Sequence, residues 1–299
     1  MKITAFFLFV SFSASQLFAQ AAESKTTVAV LPPDITKIVT SAATGSSEVN
    51  VIADALTQKI VSTLVGLKRI AVVERAAMDK ILSEQDFQMS DLAAENTPVR
   101  LGELMGADFL VILHLYQAQT TLVTQTEEEK QTWGDRGTQY SGLLEYGIRL
   151  VQVSTGEVTT TKNLKGDTGF LAYTTTTEAL SNALNMSSDK LKDWLKSSFP
   201  VRGKIFEILK EKKGEAVSVA ITCGSASGVR KNDAFKVVEY TEVELDGKKV
   251  KRSKDIGKIK VSKTESDGIF SRCEVINGGK TITSKMKSGS QLDVILVKD

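Results

Sequence analysis

Thr27-Val28-Ala29-Val30-Leu31 is a short β-branched run stopped by Pro32-Pro33, and it reads as a buried strand. Residues 36–47 are rich in Ser, Thr, Ala and Gly and carry no pattern, which predicts a loop. Val49, Ile52, Ala53, Leu56, Ile60 and Leu64 then recur at spacings of three and four. That spacing puts them on one apolar face of a helix of about 17 residues. Gly66 stands at its C-terminal end, where a helix can stop in a left-handed conformation. Residues 70–73 (Ile-Ala-Val-Val) are a second buried strand, and residues 76–86 a helix with Met78, Ile81 and Leu82 on one face. Residues 90–98 form a polar linker, 99–105 a short helix closed by Gly106, and 109–116 a third buried strand. The order β-α-β-α-α-β argues for an α/β sandwich.

The pattern continues outward in both directions. Residues 120–137 are polar around Glu127-Glu128-Glu129-Lys130 and read as a hairpin tip or mobile loop. Two strands, 141–153 and 156–164, meet at the tight turn Ser154-Thr155-Gly156. A long helix over 175–199 turns Leu180, Ala183, Leu184, Leu191, Trp194 and Leu195 inward and ends at Pro200. Beyond Val201 the texture changes to short β-rich runs at 217–222, 234–242, 256–263, 269–276 and 292–297. They are separated by Lys213-Gly214, Asp246-Gly247, Asp267-Gly268 and Asn277-Gly278-Gly279. Asp-Gly and Asn-Gly tolerate positive φ and so favour hairpin turns. Strands at this spacing predict a small all-β barrel of about 100 residues, with a boundary near residue 200.

Toward the N-terminus, Lys2 is the only charge before Glu23, and residues 3–12 form an apolar run. Ala19-Gln20-Ala21 supplies the small-x-small pattern of a cleavage site. Residues 1–21 therefore read as a secretory signal peptide cut after Ala21. The run is too short to cross a bilayer core, which takes roughly 20 residues. The expected organisation is a signal peptide at 1–21, an α/β domain at 22–199 and an all-β domain at 200–299.

The chain of 299 residues has a formal net charge of +2, unevenly spread. Residues 200–299 hold 21 Lys/Arg against 14 Asp/Glu, a net of +7; residues 22–199 hold 16 against 22, a net of −6. Opposite signs in the two halves suggest different partners. Lys248-Lys249-Val250-Lys251-Arg252-Ser253-Lys254 concentrates the positive charge just after Asp246-Gly247. We read Lys248, Lys249, Lys251, Arg252 and Lys254 as a candidate contact for an anionic partner; a solvated loop is the competing reading. In an exported protein that partner is an envelope phosphate or carboxylate, or an acidic protein face, and not nucleic acid. Export also makes a disulfide between Cys223 and Cys273 chemically possible, with two buried thiols as the alternative.

Residues suited to catalysis are sparse. His114 is the single histidine and lies inside an apolar run, so it reads as a satisfied structural side chain. Gly224-Ser225-Ala226-Ser227-Gly228 has Ala226 where a nucleophile elbow requires serine, and reads as a barrel turn. Pro32-Pro33 occupies the place of a glycine-rich phosphate loop and removes the N–H groups such a loop uses. Glu74 and Asp79 are neighbours of basic residues and read as solvated helix charges. No catalytic, cofactor-binding or metal-ligating residue is assigned, and no enzymatic activity is expected.

Val28-Ala29-Val30-Leu31-Pro32-Pro33 and the helix that follows are joined by Ile70-Ala71-Val72-Val73-Glu74-Arg75, then Met78-Asp79-Lys80-Ile81-Leu82-Ser83-Glu84-Gln85. With Leu101-Gly102-Glu103-Leu104-Met105-Gly106-Ala107-Asp108-Phe109-Leu110-Val111 and the strand pair meeting at Ser154-Thr155-Gly156, this set resembles the curli production assembly/transport component (CsgG) family. The resemblance covers roughly residues 26–198. It implies a non-enzymatic α/β periplasmic domain, related to anticodon-binding-like sandwiches and to lipoprotein activators of cell-wall synthases. The last hundred residues resemble, more weakly, a β-barrel-like domain found in some flagellar assembly proteins.

Two departures from the pore-forming members bear on function. Those members are lipoproteins, and no lipobox cysteine stands near Ala21. They also insert long amphipathic hairpins, whereas residues 120–140 carry Glu127-Glu128-Glu129-Lys130 and Asp135-Arg136. The expected function is a periplasmic adaptor or accessory in secretion or envelope assembly. Its partners would be envelope proteins, a second copy of the chain, and a peripheral contact with outer membrane or cell wall. The alternatives are an outer-membrane secretion-pore subunit and a glycan-acting enzyme using two carboxylates.

Overall fold

The computed structural model describes residues 25–73, 97–245 and 248–297. The first sheet contains β1 (Thr26–Val30), β2 (Val39–Thr40), β3 (Ile70–Val72), β4 (Phe109–Val123), β5 (Gln139–Gln152) and β6 (Val158–Asp167). Its strand order is β3-β1-β4-β5-β6, with β2 beside β4. β1 runs parallel to both β3 and β4, while β4, β5 and β6 form an antiparallel meander.

The apolar run at Val28–Leu31 has a direct cause: both of its faces are covered. Val28 and Val30 pack under α1 (Ser46–Gly66), α4 (Thr176–Met186) and α5 (Ser188–Ser198), with Ile52, Leu56, Ile60, Leu180 and Leu191. Ala29 and Leu31 point the other way, into a smaller cluster with Leu101 of α2 (Thr97–Leu104), Met105, Leu110 and Val151. Close approach of α4 depends on two glycines. A Cβ on Gly142 would stand 2.4 Å from the Ala179 carbonyl oxygen, and one on Gly166 only 1.7 Å from that of Ala183.

The second sheet is a closed six-stranded antiparallel barrel of β7 (Arg202–Lys212), β8 (Glu215–Ile221), β9 (Ala234–Leu245), β10 (Lys248–Thr264), β11 (Ser271–Asn277) and β12 (Leu292–Leu296). Val219, Ile221, Phe235, Val237, Ile259, Val261, Leu292 and Val294 fill it, and Ile282 of α6 (Gly279–Lys287) joins them. The α/β sheet followed by a small β-barrel is the architecture expected from the sequence.

Several details differ. The helix over 175–199 is two helices, because Ser187 folds back at the junction. Its buried hydroxyl donates to the Leu184 carbonyl at 2.8 Å and receives the Tyr146 hydroxyl at 2.8 Å. Of the two readings of residues 120–137, the hairpin tip holds and the mobile loop does not. β4 continues to Val123, and α3 (Glu127–Trp133) caps the hairpin. That helix starts with a capping box, in which Thr126 accepts from the Glu129 N–H and Glu129 accepts from the Thr126 N–H. Gly66 is the last helical residue of α1, and the left-handed residue is Lys68, at φ 66°. β7 and α6 were absent from the sequence reading. The helix expected over 76–86 and most of the 90–98 linker lie outside the described residues, as does the signal peptide with Ala21.

Candidate functional site

The basic run after Asp246-Gly247 lies on a strand of an antiparallel pair, and the competing reading of a solvated loop does not hold. Pairing of β10 with β9 starts at Lys248 opposite Leu245 and runs without a break to Asp255 opposite Val238. The two strands rise from the barrel wall as a ribbon, and opposite residues share a face. Lys249 stands across from Glu244 and Lys251 across from Glu242, so one face alternates in sign. On the other face Val250 meets Val243, Arg252 meets Thr241 and Lys254 meets Glu239. The Glu239 carboxylate is nearly buried and takes the Lys285 ammonium of α6 at 2.7 Å. The alternation puts Lys249 and Lys251 on one face and Arg252 and Lys254 on the other, with Lys248 at the start of the strand, so the five cations do not form one patch; the glutamates opposite were not legible, because their positions depend on register. From 239 to 254 the sequence carries five cations and four carboxylates, a net of +1.

Cys223 and Cys273 do not form the disulfide that export would permit; both are buried, unbridged thiols. The register explains this. Cys273 lies opposite Val219, and Ser271 opposite Ile221, which leaves Cys223 four residues along the ladder from Cys273. That offset is about 13 Å, against the ~7 Å limit between bridged Cα atoms. Burial pushes the Cys273 thiol up to about 12, so it stays protonated and unreactive.

His114 has the partners expected of a structural side chain, although it is not enclosed. It is 28% exposed on β4, with Nδ1 3.6 Å from Asp34 Oδ2 and its ring stacked on Tyr116 at 6.1 Å. Two Thr36 hydrogen bonds, first from the backbone N–H and then from the hydroxyl, hold the Asp34 carboxyl below its ordinary range. One imidazole against one carboxylate lacks the nucleophile of a triad. The turn at Ser225–Ser227 ends in Gly228 at φ 84°, as a barrel turn should, and its Ala226 N–H donates to the Gly268 carbonyl. Glu74 and Asp79 lie outside the described residues. Among the described residues no helix is long and apolar enough to cross a membrane, and no group of three or more His, Cys, Asp or Glu gathers as metal ligands.

Arg69 ties the end of α1 to the end of α5. It leads into β3, and its Nε donates to the Phe199 carbonyl at the end of α5. Its remaining nitrogens lie 3.4 Å from the Leu67 and Lys196 carbonyls, which occupies otherwise orphan oxygens at the ends of two helices. The barrel turn closes onto the same place: a Cβ on Gly228 would stand 2.9 Å from the Leu67 oxygen. A cleft of about 840 Å³ opens between the ends of α1 and α5 and this turn.

Residues 10–179 match the family described as curli production assembly/transport component CsgG, more than half of the chain. The chain belongs to the CsgG family. The CsgG stretch takes in the whole first sheet and stops at the start of α4, leaving α5 and the barrel outside it. No curated protein sequence matches the chain. Solved structures similar to it include the LpoB C-terminal domain from Salmonella enterica, at 11% identity and TM-score 0.31, covering 49% of this chain and 86% of that one. Lipoprotein GNA1162 from Neisseria meningitidis follows at 13% and 0.28, covering 58% and 94%. The PelC dodecamer from Paraburkholderia phytofirmans stands at 10% and 0.25, covering 58% and 86%. CsgG membership points to an envelope-associated, non-enzymatic component of an assembly.

Proposed function

We propose that this CsgG-family protein is a periplasmic adaptor of two domains meeting near residue 200. The α/β domain docks on an envelope assembly or secretion complex, and the β9–β10 ribbon of the barrel makes a second contact. The family match over residues 10–179 carries this reading, because it assigns the larger sheet to an assembly/transport component. The barrel outside that match offers a separate, charged projection. Lys249, Lys251, Arg252 and Lys254 are exposed there, set among Glu242 and Glu244, and Lys248 begins the strand. A ribbon with cations on both faces suits an acidic protein surface or an anionic envelope component, without nucleic acid.

Partners on two sides explain the opposite charges of the two halves. Among the described residues no strand lies on the outer edge of β6, which suits pairing with a second copy of the chain. Export through a signal peptide cut at Ala21 puts the protein in the periplasm, in peripheral contact with outer membrane or cell wall. Crosslinking in intact cells, with the photoreactive group placed in turn on the ribbon and on the α/β domain, tests the reading. The expected result is two different envelope proteins. Recovery of no envelope protein from either position, or fractionation of the chain as an integral outer-membrane protein resistant to salt extraction, overturns it.

A further inference from the structure

The cleft between α1, α5 and the barrel turn is independent of the ribbon and of the adaptor reading. Its volume of about 840 Å³ is that of a small-molecule site. Six cations line it: Lys59, Lys68, Arg69, Lys192, Lys196 and Arg230. Three carboxylates accompany them, Asp189, Asp193 and Asp233, which leaves a formal excess of three positive charges. Arg69 is engaged with helix-end carbonyls, and the Arg230 backbone N–H donates to Asp233 at 2.8 Å. Lys68, Lys192 and Lys196 extend from exposed positions into the mouth. Lys192 and Lys196 are one helical turn apart on α5, so both stand on the same side of the helix.

Three of the five hydroxyls that line the cleft refine the chemistry. Ser62 and Thr63 both donate to the Lys59 carbonyl, at 3.0 and 2.6 Å, and Ser197 donates to the Trp194 carbonyl at 2.8 Å. Each has committed its proton to its own helix, so toward the cleft it offers lone pairs. The lining thus mixes ammonium donors with hydroxyl and carboxylate acceptors. A bare inorganic anion would meet the cations but set its oxygens against those acceptors. A ligand with hydroxyl groups to donate and negative groups to receive satisfies both. We propose that this cleft binds an acidic saccharide, a sugar carrying phosphate or carboxylate groups.

Isothermal titration of the mature protein with a galacturonic acid trimer, a hexose bisphosphate and neutral maltotriose tests this. At least one acidic sugar binds, and maltotriose binds at least about tenfold more weakly. Which acidic sugar binds separates carboxylate from phosphate. The double substitution Lys192→Gln/Lys196→Gln weakens that binding about tenfold, and raising NaCl from about 50 to about 300 mM weakens it in the wild type. Both lysines are exposed, so an unchanged thermal unfolding curve is expected and confirms an intact fold. Lys249→Gln/Lys251→Gln on the ribbon leaves the titration unchanged, which separates this site from the adaptor contact. Three outcomes overturn the proposal: no binding of either acidic sugar, equal binding of maltotriose, or wild-type affinity in the cleft variant.

Discussion

Gly166→Ala tests how the α/β sheet holds its helices. Gly166 lies on β6 beneath α4, where an added methyl would stand 1.7 Å from the Ala183 carbonyl oxygen and 2.6 Å from its carbon. Both are backbone atoms, so no side chain can swing aside. Restoring ordinary contact at 3.4 Å requires α4 to retreat by about 1.7 Å (3.4 less 1.7). The helix carries Ala179, Leu180, Ala183 and Leu184 into the core, all buried. A gap of 0.5–1 Å already forfeits roughly a quarter to a half of each dispersion contact. Full truncation of a buried leucine costs about 2–5 kcal/mol. Half-loosening two leucines therefore gives a cost of about 2–5 kcal/mol, at and beyond the top of the overpacking range. At a urea slope of about 2 kcal/mol per molar, the midpoint falls by about 1–2.5 M.

Trp194 is the probe for this experiment, since it packs against the same core from α5. Gly66→Ala is the control. Gly66 ends α1 with open space around its Cβ direction, and exchange for alanine should stabilise by about 0.5–1 kcal/mol. If Gly166→Ala unfolds within about 0.5 kcal/mol of the wild type while Gly66→Ala behaves as expected, α4 does not rest on the glycine of β6, and the reasoning fails.

Tyr146→Phe should cost about 1 kcal/mol in a urea titration, because it removes the hydroxyl that Ser187 accepts at the break between α4 and α5. Cys223 and Cys273 should resist a thiol reagent at pH 8 in the native state, and both should react in denaturant without reductant; finding no thiol there would refute the unbridged barrel. Burial raises the Cys273 thiol and the Tyr146 phenol, each to about 12. Both contributions are complete below the unfolded values of about 8.5 and about 10, and are lost as pH climbs toward 12, so an alkaline series of urea midpoints should fall above about pH 9.

The elements legible in the sequence were those whose signal is local. The β1 run is apolar because both of its faces are buried, and α1 shows its core stripe at helical spacing. Turns at Gly214, Gly268 and Gly278 carry the positive φ that glycine permits. α3 was overlooked although Thr126 and Glu129 spell a capping box, because no apolar residue there is buried. β7 escaped because its exposed stretch reads Lys-Glu-Lys, with burial confined to its first residues and a bulged register against β8. The break at Ser187 depends on Tyr146, 41 positions away, and no window along the chain contains both. The cleft was illegible for the same reason: Lys68, Lys192 and Arg230 come from three distant segments.

Register also changes what the basic half of the chain means. Residues 200–299 carry an excess of seven positive charges, and the run 248–254 is strongly basic, yet residues 239–254 carry a net of only +1. Glu242 and Glu244 face Lys251 and Lys249 across the strand pair, close enough to offset much of their field beyond a Debye length of about 8 Å. Two kinds of partner are then separable. Glu242→Gln/Glu244→Gln raises the net from +1 to +3 without touching a lysine. An anionic polymer or lipid surface should bind this variant more tightly, with a steeper loss on adding salt. A protein face that reads both signs loses two matched charges, and should bind it more weakly by up to about 1 kcal/mol per pair. Co-sedimentation with anionic vesicles and with purified cell wall, run beside capture of the crosslinked protein partner, measures both. Unchanged binding in every arm would mean that the ribbon makes no contact, and the second half of the adaptor reading would fall.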